Sequence, residues 1–155
     1  MNRNILGLAV AFMVVAMLAL SAVGVYATTP ITVIGTITVN ADYDLPQRQA
    51  GKSDNVFYTF MGTQDWAGAI VGTCVHEGHA KKSSTMMGTY TFESATVTVG
   101  SVSKTGGLVI GGWQSDGLWR IISGTGELSN LHGQGTGENI GDSKWSYTGQ
   151  LHFDP

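Results

Sequence analysis

One cysteine, Cys74, stands in 155 residues, so no disulfide framework forms within the chain. Stability has to come from core burial, and a chain of this length buries enough apolar surface without staples. Charged residues make up only 12% of the composition, eight Lys/Arg against eleven Asp/Glu, and they are scattered. There is no basic patch, which removes the electrostatic footprint of nucleic-acid binding. No serine or cysteine sits in a nucleophile-elbow context, so a hydrolytic triad has no support. The glycine pairs Gly124-Thr-Gly126 and Gly133-Gln-Gly135 are not followed by an amphipathic helix, and no Gly-Lys-Ser/Thr occurs. A phosphate loop needs both a strand before and a helix after.

What is present begins with a long apolar run. Arg3 is followed by Ile5 to Tyr26 without a charge, and Val25-Tyr26-Ala27 places small residues where a signal peptidase reads them. Residues 1–27 read as a signal peptide. The run also approaches the ~20 residues that span a bilayer, so an uncleaved signal anchor is the alternative. Either way the positive flank stays inside and the rest of the chain faces outward, secreted or extracytoplasmic. Contact with a membrane is expected only through this segment. No cysteine stands just after the run, which argues against a lipoprotein anchor. Residues 28–155 form a single domain.

That domain reads as strands throughout. Ile31 to Val39 alternates, with Ile31, Val33, Ile37 and Val39 on one face. Asn40 to Asp54 has no period and reads as a long loop or lid. Val56 to Met61 is a strand ended by Gly62–Asp65, and Trp66 to His76 is the next. Gly78 to Ser84 turns the chain, with Lys81 and Lys82 at its tip. Thr85 to Phe92 and Ala95 to Val99 make one long strand, or two with a bulge near Glu93 and Ser94. Gly100 to Gly107 reads as a turn, Leu108 to Trp113 as a strand, and Gln114–Gly117 as an Asp-Gly hairpin turn.

The stretch Gly117 to Gly137 organises the rest. Leu118 to Ser123 is a strand, and a tight glycine turn follows. Leu128 and Leu131, three apart, read as a single helical or 3₁₀ turn capping one end with both leucines inward. A second glycine turn then precedes a new strand. A helix here would lose about 1 kcal/mol per glycine relative to alanine. In the last strand Trp145, Tyr147, Leu151 and Phe153 alternate with Ser146, Thr148, Gln150 and His152. A large apolar face so late in the chain suggests closure on an early strand, which would abolish exposed edges. A sandwich fits the same pattern.

Trp119 to Gly135, the closing Tyr147 to Pro155, and Phe92 to Ile110 together resemble an uncharacterised prokaryotic secreted family. That family is similar in fold to the allene oxide cyclases and, more distantly, to dirigent proteins. The resemblance covers roughly the last 70 residues most closely. It implies an all-β, antiparallel closed barrel of about eight strands with an apolar interior. It also implies a homo-oligomer. It carries over no catalytic residue.

The candidate chemistry is sparse. Cys74, His76 and His79 are the one metal-like cluster, and Glu77, His132 or His152 would supply a fourth ligand. The plainer reading is a strand end and a polar turn. His152 beside Asp154 has the elements of an oriented acid/base imidazole, or of a solvated outer face. Arg120 interrupts an apolar strand. If inward, it needs a partner such as Glu127, Glu93 or a ligand carboxylate; if outward, it is a surface residue. The aromatics either fill the barrel or line a ligand cavity, since eight strands leave room for one or the other. The candidate ligand set is Phe57, Phe60, Trp119, Arg120, Trp145 and Tyr147. No cofactor is implied. The reading is a binding or structural module whose partner is a small hydrophobic molecule. The alternatives are an isomerase or cyclase working inside the barrel, or a metal-binding surface protein.

Overall fold

The alternation read in the last strand is what closes the molecule. Strand β8 (Lys144–Phe153) turns Tyr147, Leu151 and Phe153 inward and pairs antiparallel with β1 (Ile31–Asp44), setting Ile31 opposite Leu151 and Ile37 opposite Trp145. In this computed structural model, residues 28–44, 57–81, 86–113 and 117–155 are described. Between β1 and β8 lie β2 (Phe57–Gly68), β3 (Ile70–Lys81), β4 (Met86–Val99), β5 (Val102–Trp113), β6 (Leu118–Gly124) and β7 (Leu131–Gly141). Each pairs antiparallel with its neighbours in chain order, and the sheet is a closed barrel. The sandwich is thereby excluded. The N-terminal segment 1–27 lies outside the described residues.

The barrel has two unlike ends. One is plugged. A 3₁₀ turn, Gly126–Leu128, drives Leu128 into the interior, where Leu128 and Leu131 are buried among Leu108, Val97 and Ile70. Its backbone is tied to β5 through Thr125 N–H to the Gly107 carbonyl at 2.9 Å, and the Glu127 carboxylate accepts the Thr105 N–H at 3.1 Å. At the other end lie the last residues of β1, β3, β5 and β7 and the first of β2, β4, β6 and β8. Across the middle, Trp66 meets Tyr90, Phe92 and Tyr147 with ring centroids 5.1–5.6 Å apart. The Tyr147 hydroxyl accepts the Ile70 N–H at 2.8 Å. A buried Tyr keeps such a partner because an unmet hydroxyl is costly.

Several expected turns are strand. Gly133, Gly135 and Gly137 lie on β7, with Gly135 paired to Gly149 of β8. A Cβ at Gly135 would come within 2.6 Å of the Trp119 ring, and one at Gly149 would overlap it. These glycines are the floor on which a buried indole lies. Val102–Gly107 likewise belongs to β5, and the reversal before it needs only Gly100 and Ser101, with Gly100 at φ +62°. Gly62–Asp65 is interior strand within β2, where Gly62 opposite His76 and Gln64 opposite Cys74 hold their ladder pairs. The chain instead reverses at Gly68, φ +106°, so Trp66–His76 is split between two strands. β3 runs on through Gly78 to Lys81, and β1 passes Val39 through a bulge at Asn40 to Asp44. The rest of the expected loop, 45–54, lies outside the described residues, as do 82–84 and 114–116. The bulge near Glu93 and Ser94 is present as a register shift between Phe92 and Ala95.

Candidate functional site

Period-two alternation decides which side chains meet. On β3, Ile70, Cys74 and His76 point inward, and Val71, Thr73, Val75, Glu77 and His79 point outward. Cys74 and His76 therefore share the interior, whereas His79 is on the opposite face, with its Nδ1 3.2 Å from Thr59 Oγ1. Among the described residues no group of three His, Cys, Asp or Glu is gathered as a metal ion would need. Burial pushes the Cys74 thiol up to about 12, partly offset by the neighbouring Trp66 indole. A thiol held protonated is a poor ligand and a poor nucleophile.

Arg120 is on the outer face, between Gly111 of β5 and Gln134 of β7. Trp119, its neighbour, is buried and donates its indole N–H to the Thr136 carbonyl at 3.2 Å. Tyr147 is core. Trp145 is half-buried toward the end opposite the plug. Phe57 and Phe60 are on the first part of β2, and their side chains fall outside the described residues. The His152 pair read from sequence is a triad on the outside. Asp154 sits 3.0 Å from His132 Nε2 and 3.4 Å from His152 Nε2, and the two imidazoles stack at 5.4 Å.

The space inside the barrel is small and lies toward the end opposite the plug. It is a cavity of about 40 Å³ lined by Ile37, Gln64, Trp66, Tyr90, Trp119 and Trp145, with Gly112, Gly117, Leu118 and Gly137 completing the wall. At about 10–15 Å³ for each water, this is room for a few waters. Of the candidate ligand set, the structure brings Trp119 and Trp145 together here. Gln64 and Tyr90 belong to the same wall and were missed. The signal for Gln64 was the inward series Gly62, Gln64, Trp66, hidden by reading Gly62 as a turn. Gln64 is joined to buried His76, Nε2 to Nδ1 at 3.2 Å. The His76 ring stacks on Tyr90 at 4.4 Å, in space that exists because residue 88 is glycine.

No family model matches this chain. No curated protein matches it either. Among solved structures it is similar in fold to a protein of unknown function of the DUF3224 family from Shewanella oneidensis MR-1. That similarity has a TM-score of 0.58 at 14% identity and covers 82% of this chain and 99% of the other.

Proposed function

We propose that this barrel is a binding module that takes a small, largely hydrophobic molecule at the end opposite the plug, and that it works outside the cytoplasm. The observation that carries the reading is the ring-lined cavity. Three tryptophans and Tyr90 converge on a space they do not fill, beside one inward amide. Ligand sites are concave and mostly apolar with a few placed polar groups. The interior below is packed, so what enters is the edge or end of a molecule held from the mouth, and not a chain enclosed along the barrel axis. The apolar Ile5–Tyr26 run supports export.

The test is a binding panel of phenolics and medium-chain fatty acids, followed by tryptophan fluorescence. The reading predicts saturable change with single-ring compounds. A flat response across the panel would count against it. An isomerase or cyclase is the second reading. It is favoured by the inward imidazole of His76 between Gln64 and Tyr90, and by the resemblance of Trp119–Gly135 to the allene oxide cyclase-like barrels.

A further inference from the structure

A closed barrel presents a convex outer wall, yet over β6, β7, β8 and β1 this one is hollowed. Two adjoining hollows, of about 890 Å³ and 590 Å³, share Thr136 and Thr148 and so form one groove. The inner face of the same strands accounts for the dip. Gly35, Gly133, Gly135 and Gly149 face inward, and a Cβ at any of them would come within 2.6 Å of Tyr147, Leu151 or Trp119. With no side chain between, the backbone lies directly on those residues and the wall sinks toward the axis.

The groove is floored by side chains that give and take hydrogen bonds. Ladder pairing sets Arg120, Gln134, Gln150 and Thr32 in one row across the four strands. At the usual inter-strand spacing of about 4.8 Å the row is roughly 14 Å long. His132 and His152 pair on one side of it, Thr136 and Thr148 on the other. The imidazoles are fixed in advance. Both reach the Asp154 carboxylate through Nε2, at 3.0 and 3.4 Å, which leaves each Nδ1 for another partner. Asp154 is itself anchored, its N–H donating to the Asn130 carbonyl at 2.9 Å.

Composition narrows the occupant. The fixed charges in the lining are one of each sign, Arg120 and Glu138, and the lining holds no lysine. A polyanion would meet a molecule of net charge −3 without a cationic track to hold it. An apolar chain would strip water from two amides and several hydroxyls and return nothing. A chain of hydroxyls both donates and accepts, so it matches amide, hydroxyl and imidazole alike. The length of the row favours an oligomer over a single sugar.

We propose that the outer face of β6, β7, β8 and β1 is a binding groove for an uncharged polysaccharide chain. It is separate from the interior cavity, and neither reading needs the other.

The experiment is an NMR titration of the ¹⁵N-labelled full-length chain with cellohexaose, maltohexaose, N-acetylchitohexaose and hexagalacturonate. It is repeated with Gln134→Ala, Gln150→Ala and, on β4 away from the groove, Thr89→Ala. All three positions are exposed, where substitutions leave the fold intact. At least one neutral hexaose is expected to bind saturably, more tightly than hexagalacturonate, and to move the side-chain amides of Gln134 and Gln150 together. Each glutamine variant should weaken that binding about fivefold, the scale of one hydrogen bond, and Thr89→Ala should leave it unchanged. A flat response to all three neutral hexaoses overturns the proposal. Tighter binding of hexagalacturonate, shifts confined to other faces, or full affinity in both glutamine variants overturns it too. A dimer in sedimentation that dissociates in Gln134→Ala would give this face to a second copy, with the same result for the proposal. None of these outcomes bears on the interior cavity, which the phenolic and fatty-acid panel tests separately.

Discussion

At the scale of single residues, the interior depends on what is missing from glycine as much as on what the aromatics add. Trp119 lies flat against the backbone at Gly135 and Gly149. A Cβ at Gly149 would come 2.4 Å from the indole and 2.5 Å from the Gln134 carbonyl, so one of them must shift. Gly149→Ala is therefore expected to cost about 1–3 kcal/mol, the usual range for overpacking, seen as a lower urea midpoint; an unchanged midpoint would show that the ring is free to move. Cys74 gives a second prediction. Its ordinary value is 9.0 and burial raises it to about 12. Between those values the unfolded chain releases the proton and the folded chain keeps it. The contribution of the neutral thiol is thus whole below about pH 9 and is lost as pH rises toward 12. Its slope is about 1.4 kcal/mol per pH unit. Tyr147, also raised by burial from 10.0, acts in the same direction at higher pH. Urea titrations from about pH 8 to pH 10 should show wild-type stability falling more steeply than that of Cys74→Ala. Parallel curves for the two proteins would remove the thiol from the explanation.

At the scale of elements, the plug and the glycine strands show how far a sequence can be read. Leu128 and Leu131 at three-residue spacing between glycine pairs were legible as an inward cap, because the spacing is local and the turn chemistry short-range. Leu128 is fully buried. Leu128→Ala should cost about 2–5 kcal/mol. Ile34→Ala, at a position 71% exposed, should stay within about 0.5 kcal/mol of wild type. Thermal melts of the two variants check this, and similar losses in both would mean that the turn does not seal the end. β7 was not legible. Gly133 and Gly135 read as a turn because what crowds them, Leu151 and the Trp119 ring together with the β8 backbone, lies elsewhere in the sequence and reaches them only through the fold. The β2–β3 reversal was missed for the converse reason. Gly68 and Ala69 sit in an apolar run with no Asn, Asp or Pro to mark it, and the bend is fixed by Ala69 N–H to the Ile34 carbonyl at 3.2 Å, a contact with β1. The candidate site suffered from the same error. Reading Gly62–Asp65 as a turn removed Gln64 from the interior and left Tyr90 without its neighbours. The outward turn of His79 relative to Cys74 and His76 needed only strand parity, once β3 was known to continue past His76.

At the scale of the whole molecule, the barrel is asymmetric along its axis. One end is sealed by leucines, the middle is packed with interlocking rings, and the other end keeps a cavity of about 40 Å³ beside a buried amide. That gradient from filled to unfilled is the basis for placing a ligand at one end only. The most direct measurement is an NMR titration of the ¹⁵N-labelled protein with p-cresol, following backbone amides and tryptophan indole N–H signals together. The account predicts saturable shifts at Gly112, Gly117, Gly137 and the Trp119 and Trp145 indoles, with Leu128, Leu131 and Phe153 at the sealed end unmoved. Shifts confined to the outer face around His132, Gln134 and Gln150, or no shifts at any concentration, would contradict it.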